Sequence, residues 1–140
     1  MSYLLDTNVV SEARKGRRAD PGLRRWLSSV NEKDLYISVL VVGEIRQGIE
    51  RLYRRDPEQA SVYDSWLGEL RESYGERIVE LTLADAERWG RMNAADPLPA
   101  VDSLIAAQAR HRDLVVVSAN TKDFERTGAQ ILNPFEAGGQ

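Results

Sequence analysis

The sequence contains no cysteine. Disulfide scaffolds, thiolate zinc sites and cysteine nucleophiles are therefore excluded. Its one histidine is His111, so neither a two-histidine ribonuclease mechanism nor a multi-histidine metal site can be built within one chain. No apolar run approaches the roughly 20 residues needed to span a bilayer. The amino terminus opens on Tyr3-Leu4-Leu5 with no basic stretch and no long apolar segment, which predicts no signal peptide and a cytoplasmic protein. Walker A, Gly-x-Gly-x-x-Gly and Gly-x-Ser-x-Gly signatures are missing as well. The chemistry left to the chain belongs to carboxylates, hydroxyls, amides and basic groups.

What is present is ordinary in amount. The 140 residues, 42% hydrophobic and 29% charged, predict one domain over 1–140 with a sizeable core. A net charge of −3 excludes a uniformly basic nucleic-acid binder. Arginine and lysine are nevertheless bunched, at Arg14, Lys15, Arg17, Arg18, Arg24 and Arg25, and again at Arg46, Arg51, Arg54 and Arg55. Such clusters read either as solvated helix faces or as a surface for an anionic partner.

Short apolar runs alternate with helical periodicity along the whole chain. Tyr3-Leu4-Leu5, Leu35-Tyr36-Ile37, Ile78 to Leu81, Leu114 to Val117 and Gln130 to Leu132 read as strands, the last at an edge. Between them, Ser11 to Lys15 predicts a short helix. Asp20 caps a helix opening on Pro21, and Ser38 caps one from Val39 to about Arg54. Further helices are expected from Asp56-Pro57 through Tyr74, from about Ala84 to Ala94 and from Val101 to Arg112. Strands separated by helices in this rhythm predict an α/β fold with a parallel sheet covered on both faces. Ligands of such sheets sit beyond the carboxyl ends of the strands.

Three carboxylates occupy unusual positions. Asp6 directly follows the first strand, as a helix cap or as a ligand-facing acid. Glu44 shares a helix face with Leu40, Val41 and Gly48, and an acid there must find a partner or sit at the edge of the buried face. Asp102 shares its face with Ile105, Ala106 and Ala109, as an inward acid or as a complement to the helix dipole. If the three converge, their repulsion raises pKa values unless a cation compensates. Oxygen donors in that number suit Mg2+ or Mn2+ rather than zinc. After the strand ending at Val117, Asn120 or Asp123 can add an oxygen, while Thr7, Asn8 and Ser38 are placed to orient a water or ligand. His111, between Arg110 and Arg112, reads as a solvated histidine, and the terminal Gly138-Gly139-Gln140 as a frayed tail.

Taken together these segments resemble a PIN domain, specifically the VapC/FitB-like toxins of bacterial type II toxin–antitoxin operons. The resemblance is carried by Leu4-Leu5-Asp6-Thr7-Asn8-Val9-Val10-Ser11-Glu12 and by Ser38-x-x-Val41-x-Gly43-Glu44-Ile45-x-x-Gly48. It continues through Asp102-x-x-Ile105-Ala106-Ala107-x-Ala109, Ser118-x-Asn120-x-x-Asp123-Phe124 and Ile131-Leu132-Asn133-Pro134-Phe135, and so covers essentially the whole chain. It implies a three-layer α/β/α domain with a short central parallel sheet and a Mg2+-dependent endoribonuclease activity, with Mn2+ able to substitute. Asp6, Glu44 and Asp102 become the metal-binding and catalytic acids. Asn120 falls on a fourth catalytic position that is variably Asp or Asn, leaving one fewer negative charge for a second ion. Asp123 then either substitutes for it or braces the loop.

By the same resemblance the metal generates the nucleophile, and Glu44 or Asp102 orients or deprotonates the attacking water. Arg14, Lys15 and Arg46 form a rim for RNA. The implied partners are an antitoxin, a second copy of the chain in a homodimer, and operator DNA through the antitoxin only, with no membrane. An amphipathic antitoxin helix is expected between the helices from Asp20 and Ser38, against Trp26, Leu27, Ile49 and Leu52, with a basic tail at the three acids. The alternative is a binding module, a weakly or non-catalytic PIN-like subunit of an antitoxin–operator complex, which Asn120 favours and the intact acid set opposes. A dehalogenase-type phosphatase needs Asp-x-Asp where this chain has Asp6-Thr7-Asn8.

Overall fold

Each apolar run becomes a strand, and every strand is short. The computed structural model describes residues 1–135; the Gly138-Gly139-Gln140 tail lies outside them. β1 (Tyr3–Leu5), β2 (Leu35–Ser38), β3 (Ile78–Val79), β4 (Val115–Val117) and β5 (Ile131–Leu132) form one sheet in the order β3-β2-β1-β4-β5. All four pairings are parallel, with Leu5 opposite Ile37 on one side and Val117 on the other.

The connections decide where a ligand can sit. α1 (Thr7–Ala13) and α2 (Pro21–Ser29) join β1 to β2, and α3 (Val39–Tyr53) and α4 (Pro57–Tyr74) join β2 to β3. The chain then returns through α5 (Leu83–Met92) and α6 (Ala100–Arg112) to the far side of β1, where β4, the single-turn α7 (Thr121–Phe124) and β5 follow. Right-handed crossovers running in opposite directions place α1–α4 on one face and α5–α7 on the other. The packing follows that division, α3 on α4 and α1, and α6 on α5 and α7. This is the expected three-layer α/β/α arrangement. The winding reverses between β1 and β4, and the crevice at their carboxyl ends is the ligand position of open α/β sheets.

Leu4, Ile37 and Val116 are fully buried in the sheet, Val9, Leu23, Val41 and Leu67 under one helical layer, and Ile105 and Phe124 under the other. Each large side chain so buried contributes about 1.5–3 kcal/mol of hydrophobic stabilisation. Ala106, Ala107 and Ala109 are fully buried on α6, and their small size lets that helix approach the sheet closely. No described helix is long and apolar enough to cross a membrane.

Several boundaries differ from expectation. The first helix runs Thr7–Ala13 rather than Ser11–Lys15, because the Asp6 carboxylate accepts from the Thr7 N–H at 2.9 Å and starts the helix directly after the strand. β3 stops at Val79 rather than Leu81. There the Glu80 carbonyl accepts from Gln108 and Arg112 side chains, both at 3.3 Å. α5 ends at Met92, two residues short of Ala94, and the Asn93 side chain accepts from the Leu98 N–H at 2.7 Å to turn the loop.

Candidate active site

Asp6 is placed by the end of β1, and its backbone N–H still donates to Val117 of β4 at 2.9 Å. Its side chain is 3% exposed and fully engaged on one side. Oδ1 accepts from the Thr7 N–H, while Oδ2 accepts from Asn8 Nδ2 at 3.1 Å and from the Ser118 hydroxyl at 2.8 Å. Asn8 also donates to Ser118 Oγ at 3.2 Å, and its Oδ1 accepts from the Ala119 N–H at 3.0 Å. The turn after β1 and the turn after β4 are thus clamped together around Asp6. Both amide hydrogens of Asn8 and one lone pair of its Oδ1 are committed to this clamp.

Glu44 comes from the second turn of α3, half-buried, and its Oε1 accepts from the Thr7 hydroxyl. Ser38 sets that helix in place rather than facing a ligand. Its buried oxygen caps the Leu40 N–H at 3.0 Å and its hydroxyl donates to Gln108 of α6 at 2.6 Å. Gly48, one turn beyond Glu44, has open space where a side chain would begin.

Asp102 lies in the first turn of α6, half-buried. Burial, and after it the charges of Asp6, Asp123 and Glu44, push its carboxyl up to about 6, and Asp123 shares a hydrogen bond with it. Asp6 and Glu44, the other two acids singled out by position, therefore act on Asp102 across three elements, and so does Asp123. Asn120, a neutral residue with an exposed side chain that makes no cap to α7, is tied to the same turn by its N–H, which donates to Ser118 Oγ at 2.9 Å.

No arginine or lysine pairs with Asp6, Glu44, Asp102 or Asp123 among the described residues. Crowded carboxylates without a counter-cation fit a hard, oxygen-seeking divalent ion, and the chain offers no sulfur donor to compete. They do not form a finished cage, since no three acidic or histidine side chains among the described residues stand at metal-holding distance.

A groove of about 530 Å³ opens from Thr7 and Glu44 and runs between α1, α3 and α4. Arg14 and Lys15 line it, as do Arg55, Tyr63 and Trp66, the two aromatic residues brought to it by α4. Arg46 does not line it, being bound instead to Asp64 of α4 at 3.1 Å and Glu50 at 3.4 Å. The expected groove between α2 and α3 is not where the opening lies. Trp26 packs edge-on against Tyr3 at 5.0 Å, and Leu27 packs on the core. Ile49 and Leu52 do border the opening.

His111 is partnered rather than simply solvated. Its Nδ1 lies 2.9 Å from Asp85, a fully buried carboxylate that also receives two hydrogen bonds from Arg112, at 2.7 and 2.9 Å. This cluster joins α5 to α6 through the side chains that follow the fully buried Gln108 and Ala109.

The family model described as PIN domain matches residues 3–130. Plasmid stability protein StbB of Pseudomonas syringae pv. tomato is 31% identical over 96% of this chain and 99% of its own. VapC ribonuclease Y4jK of Sinorhizobium fredii is 27% identical over 95% and 97%. Among solved structures, FitAcB of Neisseria gonorrhoeae superposes with a TM-score of 0.85 at 26% identity, covering 94% of this chain and 97% of that one. Solved neighbours are toxin–antitoxin complexes, some of them bound to DNA.

Proposed function

Because the chain belongs to the PIN-domain family, with relatives of the VapC/FitB type, we propose that it is the toxin of a toxin–antitoxin pair and cleaves RNA as a Mg2+-dependent endoribonuclease in the cytoplasm. This reading is supported by the effect of Asp6, Glu44 and Asp123 on Asp102 at the winding reversal of the sheet, with no arginine or lysine paired to these acids among the described residues. The whole of 1–140 is read as one PIN domain.

Asp6, Glu44 and Asp102 would hold the ion, with Mn2+ able to replace Mg2+. When bound, the ion lowers the pKa of a water and polarises a phosphoryl oxygen. The chain's own residues do the positioning. Asn8, Ser118 and the Thr7 N–H fix the Asp6 carboxylate to one orientation, and the Thr7 hydroxyl fixes Glu44. Glu44 or Asp102 takes the proton of the attacking water. Asp123, which acts on Asp102, brings a fourth carboxyl to the cluster and favours the enzyme over the binding-module alternative, with Asn120 kept at the fourth catalytic position that the resemblance implies.

Expression without the antitoxin should arrest growth, and purified protein should cut RNA only when Mg2+ or Mn2+ is supplied. Asp6→Ala should abolish both effects while the melting curve stays cooperative. A folded Asp6→Ala protein that still arrests growth and cuts RNA would remove the acid site from the mechanism.

A further inference from the structure

Resting on the nuclease reading, we propose that the groove leading away from Glu44 is a nucleotide subsite: a base of single-stranded RNA beside the scissile phosphate stacks on the Arg14–Tyr63–Trp66 cluster. At about 530 Å³ the groove is in the size range that takes a small organic ligand. It is continuous with the acids, because Thr7 and Glu44 form its near end. Its floor is the apolar edge of α3, and the open space at Gly48 leaves that floor unfilled.

Charge favours a nucleotide as occupant. Lys15 is offset by Glu12 at 2.9 Å, but neither Arg14 nor Arg55 is paired with a carboxylate among the described residues. In a chain of net charge −3, the groove thus has Glu44 at its near end and the guanidinium groups of Arg14 and Arg55 farther along it, where the acid Glu12 is engaged by Lys15. That polarity suits a strand with one phosphate at the ion-binding acids and the next nucleotide among arginines. The Arg14 guanidinium lies 4.3 Å from the Tyr63 ring centre and 5.9 Å from that of Trp66. Its Nη2 also donates to the Tyr63 hydroxyl at 3.2 Å, which holds the cation in place. Aromatic rings and arginine planes are the surfaces on which unstacked RNA bases settle. An apolar floor alone would suit an amphipathic peptide equally, whereas this cation–aromatic cluster beside the acids suits a base with its phosphate.

The test uses the full chain and a short labelled single-stranded RNA, followed by fluorescence anisotropy in chelator and by cleavage in Mg2+. Trp66→Leu should weaken binding about tenfold, in keeping with the loss of one stacked base. An abasic residue at one position beside the cut should cost the wild type a similar factor and cost Trp66→Leu nothing further. Arg14→Gln, a change on a partly exposed side chain, gives the same comparison should Trp66→Leu fail to fold. Arg55→Gln should lower the salt dependence of binding by about one phosphate contact. Wild-type protein that cleaves RNA yet ignores the missing base overturns the subsite and leaves the nuclease reading standing. Protein that neither binds nor cleaves RNA overturns both. Variants that keep their RNA affinity but lose the antitoxin mark the groove as a protein-docking surface, and the proposal falls.

Discussion

A carboxyl that titrates near 6 is a charged group held against its preference. Burial of Asp102, and then the charges of Asp6, Asp123 and Glu44, make its proton harder to remove in the folded chain than at the ordinary value of 3.8. The folded state therefore binds that proton more tightly than the unfolded state does. Stability contributed by the protonated form is complete below about 4 and is lost as pH rises through about 6. We expect Asp102→Asn to stabilise the metal-free protein at pH 7.5 by about 1–2 kcal/mol, a figure discounted for solvent screening. The gain should shrink toward zero near pH 4. Saturating Mg2+ should reverse the order, since only the wild type gains full binding stabilisation. Melting temperatures of both proteins in chelator and in Mg2+ across that range provide the check; coincident curves in chelator would refute the repulsion.

These three acids were legible because each departs from its local pattern: Asp6 at a strand end, Glu44 and Asp102 on apolar helix faces. Arg46 was not. Nothing near it in sequence shows that Asp64, one helix later, will bind it. Asp123 could be named as a candidate, but its effect on Asp102 could not be read, because it depends on how the single turn of α7 sets its side chains against α6.

At the scale of elements, strands were the most readable part, since buried parallel strands appear as unbroken apolar runs. Asp85 shows where that legibility ends. In sequence it is one acid in a polar helix start; in the fold it is fully buried. It completes a capping box with Thr82 and accepts from Arg112 and His111, 27 and 26 residues later. Burial alone would raise its pKa, but Arg112, the α5 cap and His111 outweigh burial and hold the carboxyl far below the usual carboxylate range. The stability this cluster contributes is present above about 4, the unfolded value, and is lost as pH falls below it. Asp85→Asn should cost about 2–4 kcal/mol at pH 7, because it removes the charge facing Arg112. It should also flatten the acid side of the stability profile. Urea melts at pH 7 and pH 3 measure both, and an unchanged difference between the two pH values would exclude Asp85 as the titrating group.

At the scale of the molecule, the winding reversal explains why distant segments make one site. β1 and β4 are neighbours although more than a hundred residues separate Asp6 from Ser118, and their turns close on each other through Asn8. The result is a set of carboxylates to which no arginine or lysine is paired among the described residues, beside a groove lined by Arg14 and Arg55. Such a site can be silenced by any partner that inserts a basic side chain among the acids, because one guanidinium there removes the repulsion and excludes a divalent ion at once. We expect the antitoxin's basic tail and Mn2+ to compete for this site. Calorimetric titration should show saturable Mn2+ binding to the free protein, weakened at least tenfold by Asp6→Asn and abolished in the co-purified complex. Replacing the tail's arginines and lysines with glutamine should restore Mn2+ binding and RNA cleavage while leaving the two proteins associated through their remaining contacts. Were the intact complex to bind Mn2+ as tightly as the free chain does, inhibition would have to act by covering the groove and not by neutralising Asp6, Glu44 and Asp102.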